Sequence, residues 1–244
     1  MEEPTTPIAD CTGCPHADDR LPEGRCQPGD ACVRVRSGRQ IDRFFRQNPD
    51  LARAYRHDPF WERRAITVRY LPDHLVPELI DDPDEAVRRA CAARLSPDEV
   101  GRLKHDPDRE VRITVADRIT PGELESMVGD DDYMVRAKVA ARLPPGRLFR
   151  MVLDPDRQVR ELVARRIHPA TLGMLADDPE PEVRRIVAQR IATDELFRFV
   201  RDDDWMARYI AAARTPVGLA HLWRRETDDE VREAIGHPER VEDL

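Results

Sequence analysis

The feature that most constrains this chain is a period. The segment Asp82-Pro83-Asp84-Glu85-Ala86-Val87-Arg88 returns on a 24-residue register as Asp106-Pro107 to Arg112, Asp154-Pro155 to Arg160 and Asp178-Pro179 to Arg184. Degenerate copies keep the register at Asp58-Pro59 with Arg64, Asp130 with Val135-Arg136, Asp202 with Arg208 and Glu226 with Val231-Arg232, so the spacing holds over eight copies. A fixed period of this size without insertions marks a solenoid of stacked supersecondary units, in which each unit contacts its neighbours and no single large core forms.

Each repeat contains two helical pieces. The first is expected to start with Asp82 as N-cap and Pro83 at the first helical position, with Asp84 and Glu85 in the first turn where the helix dipole favours acids. Val87, Cys91 and Leu95 then form one apolar stripe, and a column of small residues (Ala92, Ala116, Ala140, Ala164, Ala188) lets neighbouring helices approach closely. The second piece carries the columns Val100, Leu124, Leu148, Leu172, Leu196 and Leu103, Met127, Met151, Leu175, Phe199. It is about two turns long, too short for a robust α-helix, which predicts 3₁₀ geometry. No β-branched run with period two occurs, so the expected class is all-α with no sheet.

Composition narrows the function classes. The net charge of −8 argues against a protein that blankets a polyanion along its whole length. There is no apolar run long enough to span a membrane, and Met1-Glu2-Glu3-Pro4 lacks the charge and hydrophobicity of a secretory leader, so a cytoplasmic protein without membrane contact is expected. In that reducing setting cysteines serve metals more often than disulfides. Four of the five, Cys11, Cys14, Cys26 and Cys32, fall in a Pro-, Gly- and Asp-rich stretch with no helical or strand periodicity. Soft thiolates can converge on one Zn²⁺ or one iron–sulfur cluster, and ligation then supplies folding energy that such a polar segment lacks. Two disulfides or free thiols are the alternative. Between the metals, the wide Cys26–Cys32 gap counts against a zinc knuckle and Cys14-Pro15 favours iron–sulfur, with zinc the second choice. Arg20, Arg25, Arg34 and Arg36 could offset the charge of a thiolate-bound cluster, whereas His16 is expected at the surface as a bystander.

From Ser37 the pattern turns helical. Ser37 with Gln40 reads as a capping box, Ile41, Phe44 and Phe45 form an apolar face, and the helix is expected to end before Asn48-Pro49. Residues 48–59 match 96–107 in register, so the array begins half a repeat early. The expected organisation is a cysteine-rich module with a capping helix over 1–47 and a helical repeat array over 48–244.

The Asp-Pro-x3-Val-Arg-x2-Val-Ala-x-Arg-Leu repeat, behind a four-cysteine segment, resembles the leucine-rich repeat variant (LRV) family. The resemblance implies alternating α- and 3₁₀-helices wound into a right-handed superhelix, and a [4Fe–4S] cluster held by Cys11, Cys14, Cys26 and Cys32. It implies fold and cofactor rather than activity.

Two arginine columns remain, Arg64, Arg88, Arg112, Arg136, Arg160, Arg184, Arg208, Arg232 and Arg94, Arg118, Arg142, Arg166, Arg190, Arg214. They could track phosphates, but an acidic column of equal period points instead to pairing with the Asp82-column carboxylates or with helix C-terminal carbonyls. Cys91 sits in a valine column and is expected to be a buried small hydrophobe. With no nucleophile elbow, Gly-rich phosphate loop or His-Glu-x2-His, no enzyme and no small-molecule substrate are expected. The leading expectation is an iron–sulfur repeat scaffold that binds a macromolecular partner, a protein by preference, and responds to redox state or iron. Alternatives are an electron-transfer accessory protein and nucleic-acid binding through the arginine ladder.

Overall fold

The computed structural model describes residues 6–241. The chain divides into two compact units, Met1–Thr120 and Pro121–Leu244. Both contain the same alternation of an α-helix with a short, mostly 3₁₀ helix. Among the described residues there is no strand, only an isolated bridge between Gln27 and Ala31, and no helix is long and apolar enough to cross a membrane.

In the first unit the irregular cysteine segment leads into the Gly38–Gln47 helix, which packs on the helix Trp61–Val68. The helices Glu85–Arg94 and Arg109–Arg118 then stack in turn, each on the one before. In the second unit Tyr133–Arg142, Arg157–Arg166, Pro181–Arg190, Trp205–Arg214 and Asp229–Ala234 stack in the same way. The stripe residues and the alanine column are fully buried between helices, as Val87, Cys91 and Ala92 illustrate, and so are Leu124, Leu148 and Leu172 of the second pieces. The second pieces are 3₁₀ at Asp73–Leu79, Val100–Leu103, Pro145–Met151, Pro169–Leu175, Thr193–Phe199 and Val217–Trp223. Ala52–Tyr55 and Pro121–Leu124 make a single α-turn instead.

The arginines and aspartates lock successive repeats together. Arg88 directs Nε and Nη2 to Asp106 at 2.7 and 2.9 Å, while its Nη1 donates to the carbonyls of Asp82 and Pro83 at 2.9 and 3.2 Å. One side chain thus ties its own loop to the loop of the next repeat. Arg64 with Asp82, Arg136 with Asp154, Arg160 with Asp178 and Arg184 with Asp202 repeat the fork, and Arg208 reaches Glu226. The second column closes helix ends. Arg190 donates to the carbonyls of Ala164 and Ile167, and Arg214 to those of Ala188 and Ile191, each capping the preceding repeat's helix. Burial lowers the pKa of both guanidiniums from their ordinary value. Both columns therefore do the structural work that their period suggested, except at Arg232, which pairs with Asp229 of its own helix.

That fork corrects the expected cap. Asp82 is occupied by Arg64 and by the N–H of Asp84, so it cannot cap the helix. The N-cap is Asp84, whose carboxylate accepts from the Ala86 N–H, and the helix starts at Glu85, with Pro83 left in the loop. Asp108, Asp132 and Asp156 take the same role in their repeats. Burial opposes ionisation of Asp82, but the Arg64 fork and the Asp84 N–H outweigh it and hold the carboxyl below the usual range.

Candidate metal centre

Residues 6–36 contain no helix, and their path is set by turns around the cysteines. The Cys14 N–H donates to the Cys11 carbonyl at 3.0 Å, closing a turn through Gly13 at φ 64°. Gly24 and Gly29, at φ 71° and 86°, bend the chain on either side of Cys26, in a left-handed region where a Cβ is strained. Gln27 and Ala31 exchange two backbone hydrogen bonds of 2.8 Å, bringing the chain back to Cys32. Cys26 and Cys32 are buried, and Cys11 and Cys14 are partly exposed.

Burial first, then the neighbouring Cys32, Cys14 and Cys11, push the Cys26 thiol up to about 11. No group of three or more His, Cys, Asp or Glu side chains among the described residues is set to hold a metal ion as it stands. The fit to an iron–sulfur group rests on other grounds: four free thiols, the donor chemistry such clusters require, on one turn-rich segment that contains no helix. A bound cation would stabilise the thiolate that burial now disfavours.

The segment is docked on the start of the array. His16 is buried, against the expectation of a surface residue, because its ring lies 5.3 Å from Phe44 and its Nε2 shares a 2.7 Å hydrogen bond with Tyr55 Oη. Its position two residues after Cys14 was the available signal. Burial lowers the His16 pKa, and it pushes Tyr55 up to about 12, with the Cys14 thiol the next contributor. Arg25 donates to the Gln47 carbonyl at 2.6 and 3.1 Å, and Asn48 Nδ2 donates back to the Arg25 carbonyl at 2.7 Å. Phe44 and Phe45 are fully buried.

The capping box predicted at Ser37 and Gln40 does not form. Gln40 is fully buried, its Nε2 donates to the Pro7 carbonyl and its own carbonyl accepts from the Cys32 N–H, so it staples the cysteine segment to the helix. The four arginines near the cysteines are also ties: Arg20 to Asp50, Arg25 to Gln47, Arg34 to the Thr12 carbonyl, and Arg36 over the Phe60 ring. Cys91 lies in the repeat that begins at Asp82, fully buried, its thiol pushed up to about 12 by burial.

A solved structure described as a leucine-rich repeat variant with a novel repetitive structural motif superposes with a TM-score of 0.87 at 55% identity, covering 94% of this chain and 98% of that one. The chain belongs to the leucine-rich repeat variant family. The family model for the LRV protein FeS4 cluster matches residues 7–54, which takes in all four cysteines, the Phe44 helix and Asn48, and the LRV repeat model matches 133–156 and 157–180. A Rhodobacter capsulatus relative, named as an uncharacterized 27.7 kDa protein in the nifB 3' region, is 41% identical over 86 residues. That match spans 35% of this chain and 35% of the relative's length. The protein is thus an LRV repeat scaffold with an iron–sulfur cluster segment at its start.

Proposed function

We propose that this LRV protein is a cytoplasmic scaffold whose helical repeats bind a protein partner, and whose [4Fe–4S] cluster, on Cys11, Cys14, Cys26 and Cys32, sets the order of the first repeat in response to redox state or iron. It binds and does not catalyse. The observation that carries this reading is the joint between the two parts: His16 on Phe44 and Tyr55, and the reciprocal Arg25–Gln47 and Asn48–Arg25 bonds. Any change that loosens the cysteine loops is felt by these contacts, and in a repeat array each unit leans on its nearest neighbour. When bound, the cluster supplies four thiolate cross-links and a one-electron couple. Zinc knuckles usually bring two short Cys-x2–4-Cys pairs, and the five-residue gap between Cys26 and Cys32 departs from that pattern. The partial exposure of Cys11 and Cys14 supports a second reading, electron transfer through that edge. The repeat arginines are committed to carboxylates and helix ends, which argues against a nucleic-acid track along them.

Anaerobically purified protein is expected to contain about four iron and four inorganic sulfide per chain, following the four-cysteine ligation of such clusters. Stoichiometric zinc without sulfide contradicts the assignment. Capture of a partner by holo but not apo protein supports the scaffold reading; a stable, reversible cluster couple with no partner difference favours electron transfer.

A further inference from the structure

The second unit contains a basic cavity that the repeat fold does not require. Between the loops at 200–202 and 221–227 lies an open cavity of about 840 Å³. The comparable gaps between the loops at 128–131 and 150–155 and at 152–154 and 174–179 are about 390 and 250 Å³. Within the second unit two wall columns turn basic here: that of Val128, Val152, Ala176 and Val200 becomes Arg224, and that of Gly129, Leu153 and Asp177 becomes Arg201 and then Arg225; in the first unit the same columns include Arg56 and Lys104, and His57 and His105.

The cavity's carboxylates are already engaged. Asp202 accepts the Arg184 fork, and Glu226 accepts from Arg208 and from the N–H groups of Thr227 and Asp228. The side chains of Arg201, Arg224 and Arg225 line the same cavity, are exposed, and make no hydrogen bond or ion pair among the described residues. The other arginine columns show what guanidiniums do here when the fold needs them. These three stand outside that scheme.

We propose that this cavity is a binding site for a compact, multiply charged phosphate anion, with Arg201, Arg224 and Arg225 supplying planar forks to its oxygens. Three like charges facing one concavity repel until an anion screens them, and guanidinium forks match phosphate geometry. The volume falls within the range of small-ligand sites, and Val200 and Leu222 add an apolar wall. A long polyanion fits less well, because the chain's net charge of −8 opposes extended tracking.

The test is calorimetric titration of the cluster-loaded full chain with sodium tripolyphosphate, ATP and a single-stranded oligonucleotide at low and moderate salt. Saturable one-to-one binding of tripolyphosphate is expected. Arg224→Ala and Arg225→Ala should each weaken it about tenfold, as the loss of a charge-assisted hydrogen bond implies, and the triple variant with Arg201→Ala should abolish it. Arg102→Ala, an exposed arginine elsewhere, should leave affinity unchanged. Equal affinity for ATP and tripolyphosphate identifies the phosphates alone as the ligand; tighter ATP binding adds the apolar wall. Absence of saturable binding, binding that survives the triple variant, or a strong preference for the oligonucleotide overturns the proposal.

Discussion

In residues 6–36 every loop is held by a different contact, whereas along the repeats one contact recurs. Arg34 holds Thr12, Arg25 holds Gln47, Gln40 holds Pro7 and His16 holds Tyr55, and none of these contacts is repeated on the 24-residue register among the described residues. The Arg88–Asp106 fork, by contrast, is repeated with nearly the same distances at Arg136–Asp154 and Arg160–Asp178. A unit that inherits its bonds from a periodic sequence can lose one and keep its neighbours, so damage stays local. A segment of single-use contacts around four thiols has no such reserve and depends on its ligand. The two regions meet at Phe44, Phe45, Tyr55 and Asn48, where the apolar face of the first half-repeat is covered.

The largest effect that separates the regions should come from Cys14→Ser. Iron and sulfide should be lost and the order of residues 6–36 with them, since for small metal domains binding free energy is folding free energy, on the order of 10 kcal/mol. Cys91→Ser is the matched control: iron content should be unchanged, with a stability cost of about 1–3 kcal/mol for a hydroxyl in an apolar site. Metal analysis and thermal melts read both.

Arg160→Ala probes the repeats. With Arg160 and Asp178 side chains 9% and 3% exposed, the substitution leaves a buried carboxylate without its fork and should cost about 3–5 kcal/mol. The loss should appear as faster amide exchange at the adjacent helices, with the iron content intact. A uniform loss along the chain would show that the array is one cooperative block.

Tyr55→Phe should have a smaller effect. It removes the hydroxyl partner of His16 and should cost about 1 kcal/mol, seen as weaker protection of the Phe44 helix, with no change in the second unit. Acid should give the mildest change. Asp82 and Asp204 have carboxyls held below their ordinary value of 3.8, by Arg64 against burial in one case and by Arg185 in the other. A carboxylate with a depressed folded pKa contributes stability above its unfolded value, and that contribution is lost as pH falls through the folded pKa. The repeats should therefore show no pH dependence from these groups near neutrality and should loosen only below about pH 4. NMR titration of the Asp82 and Asp204 carboxyls checks the direction.

Much of this was written in the sequence. The period, the buried valine and alanine columns and the pairing of arginine with aspartate follow from residues that repeat at fixed spacing, and repetition makes each reading self-checking. The misreadings fall where a side chain chooses between a local and a distant partner. Asp82 and Asp84 are equally good caps on paper, and only the Arg64 fork, 18 residues away in sequence, takes Asp82 out of contention. Gln40 reads as a capping-box residue, but Pro7 and Cys32 reach it from a segment with no periodicity. His16 reads as a surface residue because nothing in its sequence neighbours reveals Tyr55, 39 residues on.

The central claim, that the cluster segment orders the start of the array and that this order does not spread, is tested most directly by hydrogen exchange on matched apo and holo protein. The account predicts that cluster loss removes protection from residues 6–36, weakens it around Phe44, Phe45 and Tyr55, and leaves the helices Arg157–Arg166 and Pro181–Arg190 unchanged. Equal protection of the Phe44 helix in both forms, or deprotection reaching Ile191 and Ile210 to the same degree, would contradict it.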